Sequence, residues 1–145
     1  MSSLPPRLAT GHAKIDDQHC QFLGHLAVLK DAIDGGAGRE KIVELITLLQ
    51  QYALVHFADE EAYMDRVGCP ALAENTAAHR EFARKLDGWL MLLSTGGSSV
   101  SLLVDIQRES TAWMLAHISG VDCKLRGCHA PLPEQGMQPA ALAQP

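Results

Sequence analysis

Long apolar runs are missing from this sequence. No stretch approaches the ~18 residues that a membrane-crossing helix needs, and the opening segment MSSLPPRLATGH has no apolar core of the kind an export signal carries. The expected compartment is therefore the cytoplasm, with no membrane partner. Runs of basic residues are also missing: Lys and Arg are scattered singly, and the formal charge is −5 with a pI near 5.7. That balance disfavours nucleic acid as a partner. Aromatics are scarce, at 5%, and β-branched runs are short. Leu, Ala, Glu, Lys and Gln dominate the periodic segments instead, which favours helix over sheet. The four cysteines, Cys20, Cys69, Cys123 and Cys128, show no CxxC spacing, so reduced thiols are the expectation. CKLRGCH, at 123–129, lacks the second ligand pair that a zinc knuckle requires.

What is present suffices for one domain. A chain of 145 residues can bury a real core. The three-and-four spacing of apolar residues predicts four amphipathic helices. The first is expected to begin after KIDDQ, capped by Asp16 or Asp17, and to end near Ala32 before DGGAG. Cys20, Leu23, Ala27 and Val28 mark one face, extended by Phe22, Leu26 and Leu29. The second spans about Arg39 to Arg66, with Ile42, Leu45, Ile46, Leu49, Tyr52, Ala53 and Phe57 in register. VGCP then breaks it, Gly68 suiting a left-handed end. The third covers about Ala71 to Leu93 and the fourth about Val100 to Gly120. After Arg126, four of the seven prolines crowd into the last residues and the periodicity fades. The predicted architecture is all-α, an up-down-up-down four-helix bundle over 1–126 with a non-regular, Pro-rich tail over 127–145.

Each predicted helix carries polar groups among its apolar ones. The first has His19. The second has His56 and Glu60, one turn apart, with Leu54, Val55, Phe57, Tyr63 and Met64 around them. The third has His79, with Asn75 one turn earlier, and the fourth has His117 followed by Asp122. A spacing of five leaves two side chains about 140° apart on an ideal helix, so His117 and Asp122 can share a target only if the helix loosens or ends between them. Gly120 sits there. A single buried histidine is more often a hydrogen-bonded core residue than a ligand, and His56 with Glu60 alone could be an ordinary surface pair. Six such groups buried together without partners are another matter. Each would cost on the order of several kcal/mol if charged, against a net stability of about 5–15 kcal/mol. A shared cation resolves the conflict. Four imidazoles and two carboxylates suit iron, manganese or zinc, and a pair of ions bridged by the carboxylates is the natural arrangement inside a bundle.

At this point the sequence resembles the bacterial hemerythrins. TGHAKIDDQHCQFL is similar to the family's IDxQHxxL opening, HFADEEAYM to its HxxxE element and WMLAHISGVDCKL to its closing WLxxHIxxxDxxL, in the family's order over about Thr10 to Leu125. The resemblance implies two non-haem, carboxylate-bridged iron ions. Their ligands would be His19, His56, Glu60, His79, His117 and Asp122, with Glu60 and Asp122 bridging. It further implies that His19 and His56 hold the iron with the open, gas-binding position, and that His79 and His117 hold the other. The third element departs from the family. GCPALAENTAAHREF keeps the Gly, the Pro and His79 but has Asn75 where HxxxH would supply a further histidine. Asn75 could coordinate through its carbonyl oxygen, hydrogen-bond to a water ligand, or leave a position open. Glu74, about 100° away, is not expected to substitute. Phe22, Phe57, Met114 and Ile118 would form the apolar lining. Met64, Tyr63, Trp113 and Cys20 are expected to be packing residues, and His12, His25 and His129 fall outside the matched positions.

The implied function is dioxygen binding for storage, delivery or scavenging, in a binding protein whose main role is not enzymatic; a monomer is expected. Two alternatives use the same centre: an oxidoreductase that reduces peroxide or oxidises iron, and a sensor of dioxygen, nitric oxide or redox state.

Overall fold

A computed structural model of the chain describes residues 4–96 and 99–128. The helices stand close to where apolar spacing placed them: α1 (Ala13–Asp34), α2 (Arg39–Arg66), α3 (Leu72–Ser94) and α4 (Val100–Gly120). A 3-10 turn, Pro6–Leu8, precedes them, and a 3-10 helix, Asp122–Gly127, follows. The connections are too short for a crossover, so consecutive helices run antiparallel in an all-α, up-down-up-down bundle.

The ends of the helices are set by local chemistry. At the end of α2, Gly68 takes φ +64, its N–H donates to Asp65 O and the Cys69 N–H donates to Met64 O at 2.9 Å. This pair of bonds is a Schellman closure, and only glycine holds such a φ without strain. α4 starts on Ser99, whose hydroxyl accepts from the Leu102 N–H at 3.0 Å.

α1 begins earlier than expected. Its cap is His12, whose ring accepts from the Ile15 N–H. Asp16 lies in the first turn and reaches backwards, accepting from both the N–H and the hydroxyl of Thr10 at 2.7 Å. A carboxylate in the first turn thus satisfies the entering loop in place of opening the helix. At the other end Gly127 closes the 3-10 helix and Cys128 packs against the bundle end; residues 129–145, which hold His129 and nearly all of the expected Pro-rich tail, lie outside the described residues.

The buried stripe of α1 is Ile15, His19, Phe22, Leu26 and Leu29. Ala27 and Val28, expected on the core face, are exposed, Val28 by 52%; they sit about 100° around the helix from that stripe. Leu54 and Val55 are likewise exposed, by 50% and 60%, so the apolar flanks of His56 do not all face inward. Its own face does. On α2 the buried line runs Ile42, Ile46, Leu49, Ala53, His56, Phe57, Glu60, Met64.

Three apolar clusters fill the bundle. Leu29, Ile42, Ile46, Leu93 and Ile106 close one end, and Ile15, Met64, Cys69, Ala71 and Leu125 close the other. Between them lies a middle cluster containing Phe22, Leu49, Ala53, Phe57, Phe82, Leu86 and Met114. One polar layer interrupts this filling, one turn inward from Ile15 and Met64. The packing predicts a sharp contrast. Leu86→Ala, from a site 1% exposed, should cost about 2–5 kcal/mol in chemical denaturation, whereas Val55→Thr should stay within about 0.5 kcal/mol.

Candidate metal centre

Seven side chains compose the polar layer: His19 from α1, His56 and Glu60 from α2, Asn75 and His79 from α3, His117 from α4 and Asp122 from the 3-10 helix. Each is at most 5% exposed. The His117–Asp122 spacing works because α4 stops at Gly120. Val121, at φ −115 and ψ −57, widens φ from the ideal helical value, and the tighter 3-10 turn that follows brings Asp122 beside His117.

The two carboxylates divide their oxygens. Glu60 Oε2 lies 3.2 Å from His19 Nε2 and 3.6 Å from His56 Nε2, while Oε1 lies 3.2 Å from His79 Nε2. Asp122 Oδ2 is 3.1 Å from His19 Nε2, and Oδ1 is 3.2 Å from His117 Nε2. The result is two donor sets able to hold a metal ion, His19–His56–Glu60–Asp122 and His79–His117–Glu60–Asp122, the donor atoms of each within 4.8 Å of one another. Both sets share both carboxylates.

Hydrogen bonding accounts for one of these approaches, His19 Nε2 to Glu60 Oε2, and leaves the others unexplained. His56 Nε2, His79 Nε2 and both Asp122 oxygens are buried with no hydrogen-bond partner among the described residues. An unpartnered buried carboxylate costs several kcal/mol. Spacings near 3.1 Å are those of neighbouring ligands around one ion, since bonds of about 2.1 Å at right angles put donors about 3.0 Å apart. The residues therefore fit a pair of bridged cations.

Outer contacts pre-set the rings. His56 Nδ1–H donates to Gln18 Oε1 at 2.8 Å, and Gln18 Nε2 donates in turn to Asp59 at 2.8 Å, which fixes the amide's orientation. His79 Nδ1–H donates to Glu61 at 2.7 Å, and Glu61 also accepts from the Thr76 hydroxyl. Each arrangement puts the proton on Nδ1 and leaves the inward Nε2 with a lone pair. Stacking holds the planes: Phe57 on His79 at 3.9 Å, Trp113 on His117 at 4.5 Å and Phe82 on Trp113 at 4.1 Å. Phe22, Phe57, Met114 and Ile118 are all buried, as expected.

Asn75 does not stand apart from the layer. Its Nδ2 donates to Glu60 Oε1 at 2.6 Å and lies 3.1 Å from Met64 Sδ, and its Oδ1 accepts from His117 Nε2 at 2.6 Å. A neutral amide thus links a carboxylate to an imidazole of the second set. Glu74 is exposed and pairs with Lys124. His12 caps α1 and packs on Tyr63, and His25 lies against Tyr52.

Charge is unevenly distributed. Burial lowers the pKa of His19, but Asp122 and Glu60 outweigh it and raise it to about 9. Burial presses His56 down to about 3 despite the attraction of Glu60. Glu60 loses to burial in the other direction, yet the surrounding histidines, first His19 and His79, hold it well below the usual carboxylate range.

Gln18, Asp59, Glu61 and Thr76 were not foreseen as parts of the centre. Gln18 precedes His19 and Glu61 follows Glu60, but adjacency gave no reason to join them to His56 and His79, which lie on other helices.

The Hemerythrin HHE cation binding domain matches residues 10–125. A bacteriohemerythrin of Stenotrophomonas maltophilia (strain R551-3) is 27% identical over 74% of this chain and 68% of its own. One from Pseudomonas paraeruginosa (strain DSM 24068 / PA7) is 29% identical over 79% of this chain and 72% of its own. A myohemerythrin of Theromyzon tessulatum is 27% identical over 80% and 83%. The two donor sets sharing two carboxylates lie within the matched span, and the chain belongs to the hemerythrin family of non-haem di-iron, oxygen-binding proteins.

Proposed function

We propose that this chain reversibly binds dioxygen for storage, delivery or scavenging. In this reading His19 and His56 hold one iron ion, His79 and His117 hold the other, and Glu60 and Asp122 bridge them. The observation that carries it is the division of carboxylate oxygens between two buried imidazole sets. When bound, the iron pair supplies electrons that dioxygen accepts and returns. The chain's own residues supply the rest. Gln18 and Glu61 keep the Nδ1 protons of His56 and His79 on the outer side. Phe22, Phe57, Met114 and Ile118 exclude the water that would carry protons into the layer. Glu60, with its carboxyl held ionised, offers one oxygen to each set.

A second reading, an oxidoreductase acting on peroxide or ferrous iron, is favoured by one observation. Asn75 stands where the family pattern has a third imidazole for the second iron, and its amide donates to Glu60; its bond to His117 Nε2 belongs to the metal-free layer, because an iron on that nitrogen would displace the proton. Two imidazoles per iron leave room for a small reactant at both.

These readings separate experimentally. Iron-supplied protein should contain about two iron ions per chain and show a colour under air that disappears under vacuum. Glu60→Ala should lose both ions, and a variant that retains full iron would overturn the bridging role. Asn75→His should tighten iron at the second position by about 10–100-fold and prolong the colour under air. Steady peroxide turnover by the unaltered chain that Asn75→His abolishes would instead establish the second reading.

Metal removal has its own signature. In the metal-free protein, His19 contributes stability that is complete below its ordinary value of 6.5 and lost as pH rises through about 9. His56 acts in the opposite sense: below 6.5 the unfolded chain takes up a proton that the folded one refuses until about 3, so stability falls as pH falls across that window. Unfolding temperature of the metal-free protein should therefore peak near pH 6.5. Iron binding displaces the His19 proton, so the loaded protein should lose the alkaline decline. A metal-free profile that rises steadily to pH 9 would contradict the charge assignment.

A further inference from the structure

Away from the cation centre, the α2–α3 turn and the end of the 3-10 helix bring two cysteines together. Cys69 and Cys128 are thiols whose Sγ atoms lie 2.6 Å apart, inside van der Waals contact. Neither backbone is free to drift: the Cys69 N–H closes α2 on Met64 O, and the Cys128 N–H donates to Leu125 O at 2.9 Å. Cys69 is buried and Cys128 half-buried. Both line an open cleft of about 380 Å³, together with Pro70, Ala71, Glu74, Lys124 and Gly127. Cys20 lies on α1, and Cys123 packs against the carbonyls of Arg7 and Ala9, so the other two thiols occupy separate places.

We propose that Cys69 and Cys128 form a reversible dithiol–disulfide site that reacts with low-molecular-weight disulfides entering this cleft. One cysteine, as thiolate, attacks the small disulfide RSSR. It forms a mixed disulfide and releases RS⁻, which takes up a proton. The second cysteine, losing its proton, attacks the protein sulfur of that mixed disulfide and expels the second RS⁻. The balance is two protein thiols plus RSSR giving one protein disulfide plus two RSH, with the small disulfide as the oxidant. The hydrogen bond to Cys69 pushes the Cys128 thiol up to about 11, so exchange near neutrality is slow and requires a long incubation.

The bond would strap the segment that carries Asp122 to the turn that precedes Asn75. Apart from the exposed Lys124–Glu74 ion pair, no polar contact at this end ties the 3-10 helix to α3 among those found in the described residues. Closing the long loop between positions 69 and 128 should raise the unfolding temperature by at least about 5 °C. If Asp122 is a ligand, as the proposed function has it, the strap should also slow cation loss.

The test uses the full, iron-loaded chain, reduced and then incubated with glutathione disulfide. Peptide mapping should find the 69–128 cross-link with Cys20 and Cys123 still reducible thiols, together with the thermal shift. Cys128→Ser and Cys69→Ser should each abolish both effects, and Cys123→Ser neither. Glutathione retained on Cys128, or cross-links to Cys20 or Cys123, would overturn the site; a 69–128 cross-link without thermal shift would overturn the strap. Iron release to a chelator should be several-fold slower after oxidation. Equal release rates with the cross-link formed would overturn the coupling alone, whereas iron missing from both forms would overturn the proposed function and leave the thiol site standing.

Discussion

Two carboxylates buried between two sets of imidazoles set the terms for the rest of this structure. Glu60 and Asp122 are fully buried, and a bundle of ordinary stability could not hold both without compensation. Their oxygens are apportioned between the sets, so neither set is complete without both carboxylates. Four helices and a terminal 3-10 turn must consequently meet at one level. The apolar clusters on either side of the layer provide that register: Ile15, Met64 and Leu125 close it from the bundle end, and Phe22, Phe57 and Met114 from the interior.

α2 carries a disproportionate share of this design. It supplies His56 and Glu60 to the layer, Asp59 to orient the Gln18 amide and Glu61 to hold the His79 proton. Its inner residues therefore build the donor sets, while Glu61 holds a ring of α3 and Asp59 acts through Gln18 on α2's own His56. The stacked series Phe82–Trp113–His117 performs a comparable task on α4 by fixing an imidazole plane through packing.

Asn75 is where the chain departs from its family's pattern. An amide has a donor and an acceptor but no charge and no basic nitrogen, so it can link Glu60 to His117 while contributing less than an imidazole would as a ligand. The layer remains closed and buried, with one fewer basic nitrogen on the second set. The imidazoles of the first set, His19 and His56, make no hydrogen bond to Asn75 among the described residues; Asn75 reaches that set only through the shared Glu60. Each donor set therefore offers two imidazoles beside the shared carboxylates.

The sequence by itself determined the four helices, the Gly68 closure and the convergence of six polar residues, because each is a matter of local periodicity or of a cost that no bundle could bear unpaired. It also required a break between His117 and Asp122, since helical geometry forbids their meeting otherwise. Only the tertiary structure decided that Asp16 would reach back to Thr10, that Val28, Leu54 and Val55 would face outward, and that Asn75 would link Glu60 to His117. The same holds for Gln18 and Glu61, whose partners lie on other helices, and for Cys69 and Cys128, which are far apart in the chain. The physical reason is common to them all: periodicity fixes which residues share a stripe, but the rotation and depth of that stripe, and every contact across helices, are set by how the neighbouring helices pack.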